Sequence, residues 1–159
     1  MMGIIIESTK INEILSIYKP EYIYLKSAEV YGKKIIGFFR QSVYPYTNED
    51  LFKYITGTTA VLYLAQLAYV LSAVMIEQNI FRVTTDISYK EFLSLRNRAQ
   101  MYFTQLNMEF KKMLLNSEDI QVVMEITRAK RIRKTVIANA SFDFQNCIVG
   151  HLQLTMALP

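Results

Sequence analysis

The chain has 159 residues, enough for one domain that buries roughly 70% of its unfolded surface without a metal or disulfide scaffold. Hydrophobic residues make up 52% and charged residues 20%, which excludes a disordered chain. The net charge of +4 is mild and comes largely from one cluster, Arg128, Lys130, Arg131, Arg133 and Lys134, which reads either as a phosphate-attracting patch or as a solvated strand and turn.

Residues 1–6 form a short apolar strip ended by Glu7, with nothing resembling a signal peptide. Residues 9–17 are expected to form a helix capped by Ser8 or Thr9, with Ile11, Ile14, Leu15 and Tyr18 at helical spacing and Pro20 ending it. A strand is expected over 22–30, a hairpin turn at 31–34 and a returning strand over 34–43, stopped by Tyr44-Pro45. The segment 57–78, GTTAVLYLAQLAYVLSAVMIEQ, is apolar almost all round. As a helix it would be about 33 Å long, which invites a membrane span. Gln66 at its middle, and the strands that surround it in sequence, favour a buried core helix instead. A short helix follows over 88–98, with Asp86 or Ser88 as cap and Glu91 three residues after Ser88, as a capping box requires. Strands are then expected over 99–113, 120–132, 136–144 and 147–158, with a turn at 143–146.

Two strands, one long buried helix and then a meander of strands is an α+β order. With a single long helix available, the antiparallel sheet must wrap around it. That is a hotdog arrangement, and no linker or composition shift divides it, so residues 1–159 read as one domain.

Several constellations are missing. No glycine-rich phosphate loop is present, which argues against a nucleotide-binding enzyme. The single histidine, His151, lies in the last strand and reads as a solvent-facing or hydrogen-bonded strand residue, so neither a catalytic triad nor a histidine metal site has support. Cys147, the only cysteine, cannot form an internal disulfide or a zinc site; it reads as a small core residue and the compartment as cytoplasmic. No cofactor or metal is expected. The residues best placed for chemistry crowd the entry to the long helix: Tyr44, Tyr46, Asn48, Glu49, Asp50 and Tyr54, just before Thr56-Gly57-Thr58. A helix N-terminus offers free N–H groups and positive potential, and Gly57 permits close approach of a ligand. Ordinary capping, with Thr56 as N-cap and Gly57 as first helical residue, is compatible with that role.

The run Gln66-Leu67-Ala68-Tyr69, the early Ile17-Tyr18 and the ending from Gly150 to Leu158-Pro159 resemble the FcoT-type long-chain acyl-CoA thioesterases, collinear over nearly the whole chain. That resemblance implies a catalytic site lined by two tyrosines and an asparagine. The first tyrosine falls on Tyr18 and the second on Tyr46, with Tyr44 as the alternative. The asparagine position is occupied here by Ala65, which offers no side-chain hydrogen bond. In that case Asn48 or Gln66 is the expected source of the polar group.

The leading expectation is hydrolysis of fatty acyl thioesters on coenzyme A or an acyl carrier protein. N–H groups around Gly57 and Thr58 would hold the carbonyl, and Tyr18 and Tyr46 would orient the thioester or water. Asp50 or Glu49 would activate the water, and the acyl chain would lie beside Leu62, Ala65, Gln66 and Tyr69. The cationic cluster would meet the carrier's phosphates. Alternatives are a hotdog hydratase or dehydratase acting on an enoyl or hydroxyacyl thioester, and a non-catalytic acyl-binding subunit. Nucleic-acid binding is a weaker fourth reading. A homodimer or higher homo-oligomer is expected, with no membrane span.

Overall fold

The computed structural model describes residues 3–43, 53–80, 82–84, 86–97 and 101–158. Its strands are β1 (Ile4–Ile6), β2 (Leu25–Tyr31), β3 (Lys34–Phe39), β4 (Met101–Phe110), β5 (Ile120–Ile132), β6 (Thr135–Phe144) and β7 (Ile148–Ala157). Its helices are α1 (Ser8–Ile14), α2 (Gly57–Glu77) and α3 (Tyr89–Asn97). Short 3-10 turns occupy Pro20–Tyr22 and Arg82–Thr84. The strands form one antiparallel sheet in the order β1-β2-β3-β5-β6-β7-β4. The N-terminal apolar strip is thus an edge strand, Ile4 opposite Val30.

α2 lies against the concave face of that sheet. Its apolar window passes any test of length and hydropathy for a membrane helix, yet 78% of it is buried inside the protein. Residues that alternate inward along the strands supply the wall: Ile35, Gly37 and Phe39 from β3, Val122 and Met124 from β5, and Ala138, Ala140 and Phe142 from β6. Gly37 is required by the packing. A Cβ there would meet Leu67 Cδ2 at 2.4 Å, so the absence of a side chain lets the helix approach β3. Phe39 and Tyr63 stack at 4.1 Å between ring centres, sealing the same contact.

Gln66 has no exposed surface. Its Oε1 accepts from the Tyr24 N–H at 3.0 Å and the Leu25 N–H at 3.1 Å, and its Nε2 donates to the Tyr22 carbonyl at 2.7 Å. These three bonds pair backbone groups of Tyr22, Tyr24 and Leu25, just before and at the start of β2. Gln66 therefore argues for a buried core helix, as expected, by holding the sheet to the helix.

Several boundaries differ from expectation. α1 is entered at Glu7 with no side-chain cap, so neither Ser8 nor Thr9 caps it. The expected strand over 22–30 starts later, because Pro20 at the first position favours a 3-10 turn through Tyr22. β3 ends at Phe39, and the chain beyond it is tied by side chains: Ser42 and Gln41 bond to Asn116. The capping box is present: the Glu91 N–H donates to Ser88 Oγ at 3.2 Å, and the Ser88 N–H donates to Glu91 Oε2 at 2.8 Å. Cys147 is half-buried just before β7 rather than a core residue.

Replacing Gln66 with Leu would leave two N–H groups and a carbonyl unpaired beside α2. We expect a loss of about 2–5 kcal/mol in unfolding free energy, read as a lower urea midpoint at unchanged slope. A loss below about 1 kcal/mol, the worth of a single ordinary hydrogen bond, would show that the amide does not fasten the sheet.

Candidate functional site

α1 ends on Ile14 and the chain turns at once, the Tyr18 N–H donating to the Leu15 carbonyl at 2.9 Å before Pro20 forbids further helix. This turn points the half-buried Tyr18 ring at α2, where it meets Tyr69 edge-on at 6.4 Å and 78°. Ala65, Ala68 and Tyr69 share one side of α2, as positions three and four apart must. Together with Tyr18 they form one wall of a cavity of about 210 Å³, and Met101, Tyr102 and Phe103 of the edge strand β4 contribute the other. A second, narrower cavity of about 40 Å³ runs on toward the C-terminal half of α2, lined by apolar groups that include Met75, Ile76, Val136 and Ala138. Met101 and Leu154 wall both, so the two lie end to end along the helix.

The first cavity is apolar apart from its phenols. Burial pushes the Tyr18 hydroxyl up to about 12, with Tyr69 adding to the rise. Tyr69 is also raised by burial, while the positive charge of Arg96 pulls it back. Both phenols are therefore protonated at neutral pH and able to donate a hydrogen bond. Among the described residues no carboxylate or histidine lines this cavity. Its protonated phenols can polarise a carbonyl.

Arg96 is the site-supporting residue that sequence reasoning missed. It is 6% exposed, and its guanidinium donates to the Glu13 carbonyl at 2.7 Å, to the Ile14 carbonyl, and to Asn97 Oδ1 at 2.9 Å. It closes the C-terminal end of α1, from which Tyr18 projects. Burial lowers its own pKa, and its charge reaches Tyr69. The signal was present in α3, where Arg96 stands beside Leu95 on the side that carries Phe92.

The expected site residues divide into three groups. Tyr18, Ala65 and Tyr69 line the same cavity. Gly57 and Thr58 do not join them. Thr56 caps α2 by accepting from the Thr59 N–H at 3.3 Å, and seven or eight residues of helix separate Gly57 and Thr58 from Ala65, about 11 Å. An added Cβ at Gly57 would meet only the Phe110 ring at 3.9 Å, so sterics do not demand glycine there. Leu62 is half-buried against the core outside the cavity. Gln66 is withdrawn from the substrate-binding set, because its amide is engaged with backbone on the other side of the helix. Tyr46, Asn48 and Asp50, with Tyr44 and Glu49, lie outside the described residues. Both ends of that segment are fastened to one residue: Asn116 bonds Ser42 through its side chain, and its N–H donates to the Lys53 carbonyl at 2.8 Å. His151 is exposed on the outer face of the sheet. Among the described residues no group of three or more His, Cys, Asp and Glu side chains is arranged to hold a metal.

No protein-family model matches the chain, and neither does any curated protein. Solved structures do match it in fold. A dehydratase heterocomplex from Xenorhabdus doucetiae superposes with a TM-score of 0.54 at 11% identity, covering 94% of this chain and 90% of that one. A thioesterase superfamily member 2 from Mus musculus gives 0.49 at 11% identity, covering 96% and 97%. A mutant thioesterase from Pseudomonas aeruginosa gives 0.47 at 12% identity, covering 82% and 81%. A single long helix wrapped by a seven-stranded antiparallel sheet is the hotdog fold expected from the order of elements.

The Tyr18 phenol gives a pH test of the cavity. Its folded pKa of about 12 lies above the ordinary 10.0. The stabilisation from its neutral form is therefore complete below pH 10 and is lost as pH rises toward 12. Tyr18→Phe should flatten the fall in urea stability between those values. An identical fall in parent and variant would mean that the phenol is not desolvated.

Proposed function

We propose that this chain hydrolyses fatty acyl thioesters carried by coenzyme A or an acyl carrier protein. The observation that carries the reading is a tyrosine-lined cavity that shares Met101 and Leu154 with a smaller apolar one farther along α2. An acyl chain extends from the outer cavity toward the inner one beside Met75, Ile76 and Ala138, which at about 40 Å³ must widen to admit it, and its thioester carbonyl rests at the outer one. Tyr18 and Tyr69, both protonated at neutral pH, donate to the carbonyl oxygen and to the oxyanion that replaces it.

The proton acceptor has to come from outside the described cavity. In this reading Asp50 or Glu49 takes a proton from water, Asn48 and Tyr46 orient that water, and the water oxygen attacks the carbonyl carbon. The C–S bond then breaks, and the carboxylic acid returns the proton to the leaving thiolate. Gly57 and Thr58 stand about 11 Å along the helix from Ala65, so they meet the carrier arm rather than the carbonyl.

Ala65 supports one other reading, a non-catalytic acyl-binding subunit, because alanine leaves the position beside Tyr18 without a polar group. The hydratase or dehydratase alternative has a dehydratase heterocomplex among the proteins of like fold, while the only histidine of this chain faces outward.

The homo-oligomer expectation draws support from β4. It is a ten-residue edge strand with Tyr102 and Phe110 half exposed, and it borders the cavity. An open edge of this kind pairs readily with another strand. Sedimentation equilibrium should give a dimer or larger; a monomer at all concentrations would remove this part of the reading.

Thiol release from acyl-CoAs of increasing chain length tests the activity. We expect turnover that depends on chain length and falls at least about tenfold in Tyr18→Phe and in Asp50→Asn, as loss of a positioned donor or base should cause. Ala138→Leu should move the preference to shorter chains, because it fills the inner cavity. Acyl-CoA binding without turnover would leave the acyl-binding reading in place of hydrolysis.

A further inference from the structure

The cationic cluster sits at the end of the fold, on the hairpin formed by β5 and β6. Arg128, Lys130, Arg131, Ile132, Arg133 and Lys134 are all exposed, with Ile132 at 51%. No acidic residue occurs between 127 and 137, and of these five cations only Arg131 has an ion-pair partner among the described residues, Asp86 at 2.5 Å. These five cations more than account for the chain's net charge of +4. The hairpin turns in two residues, Ile132 facing Thr135, with Arg133 at a φ of 54°. That conformation favours Asn, Asp or Gly; here the turn carries Arg and Lys instead, against the local preference and in favour of charge at the tip.

Ala129 and Val136, which lie among these cations, line the inner apolar cavity. The tip therefore lies beside the inner cavity, on the side away from the phenols. Seven residues of helix separate Tyr69 from Ile76, about 10 Å, so a thioester bound with its acyl chain in the channel has its carrier at the other end. The expectation that this cluster meets the carrier's phosphates does not fit that arrangement.

We propose that the β5–β6 hairpin tip docks on an anionic lipid bilayer. The cations lie against the headgroups, Ile132 enters the interface, and the apolar channel beneath them faces the acyl region. A membrane fits this tip better than a protein does. A stable protein interface needs roughly 800 Å² on each side with shape complementarity, which one narrow two-stranded tip does not offer. Attraction to an anionic surface needs no complementarity, and each Lys or Arg near it multiplies partitioning about fivefold. Nucleic acid is disfavoured because no aromatic side chain stands among the cations on which a base would stack. The purpose of the docking, exchange of acyl chains with the bilayer, rests on the acyl-thioester reading; the docking itself does not.

Co-sedimentation with vesicles tests it. The protein should pellet with vesicles of phosphatidylcholine mixed with phosphatidylglycerol and not with phosphatidylcholine alone. Binding should weaken strongly between about 0.1 M and 0.5 M salt as the Debye length shortens. Joint replacement of Arg128, Lys130, Arg133 and Lys134 by Gln should reduce partitioning at least about a hundredfold, with urea stability and thiol release from soluble acyl-CoA unchanged. Ile132→Ser alone should reduce it several-fold. Equal binding to both vesicle types, binding unaffected by the quadruple replacement, no binding at all, or binding to an oligonucleotide instead would each overturn the proposal. Vesicle binding without thiol release would leave the docking surface standing while removing the hydrolase reading, so the two fail separately.

Discussion

The Gln66 amide sets the geometry on which the rest of the molecule depends. A helix that is apolar on every side can be buried at any rotation about its axis, because hydrophobic burial has no direction. α2 is such a helix, and its fourteen buried residues lie on every side of it. Three hydrogen bonds from one buried side chain to Tyr22, Tyr24 and Leu25 remove that freedom. Once Gln66 faces the start of β2, Ala65 and Tyr69 must face Tyr18 and the open edge at β4, and the cavity follows. The polar residue that rules against a membrane span is the one that orients the candidate site.

The hotdog architecture was legible because its signals are long and redundant. Twenty-one helical residues without a charge until Glu77, followed by strands with steady alternation, leave few arrangements for a chain of this length. Local ends were less legible. The first helix lacks the side-chain cap that Ser8 and Thr9 suggested, and Pro20 diverted the expected strand into a 3-10 turn. The site was legible only in part, for a geometric reason. Tyr18, Ala65 and Tyr69 could be singled out by resemblance and spacing, and they line the same cavity. Sequence proximity also suggested that Gly57 and Thr58 belong with them, but a straight helix carries its own N-terminus away from its middle at 1.5 Å per residue. Gln66 was misassigned because a polar residue on an apolar helix reads as functional until its partners are known. Arg96 was passed over because its acceptors are main-chain carbonyls of another helix, and main-chain carbonyls leave no mark in a sequence.

The cavity separates two tasks that hydrolysis needs. Raised phenols are good donors and poor bases: Tyr18 at about 12 holds its proton across the range in which most proteins work. Arg96 adds positive potential on the same side, which favours a developing oxyanion and would disfavour any cationic acid there. Such a pocket stabilises negative charge on oxygen and leaves deprotonation of water to another group. The anchoring of Ser42 and Lys53 through Asn116 matters for this reason: it fixes both ends of the segment that carries Tyr46, Asn48, Glu49 and Asp50.

The two cavities differ in chemistry, and on the proposed acyl-thioester reading that difference sets the orientation of the ligand. The outer end presents phenols beside the free edge of β4; the inner end is walled by methionine, alanine and branched side chains beneath a cationic tip. A thioester has one polar centre and one apolar tail. Placing the carbonyl at the inner end would bury it without a partner, at a cost of several kcal/mol, and would leave the phenols facing hydrocarbon. Only one orientation pairs the carbonyl with donors. In that orientation the tail points toward the β5–β6 hairpin and the carrier toward the start of α2, so the cations at the tip lie beyond the tail.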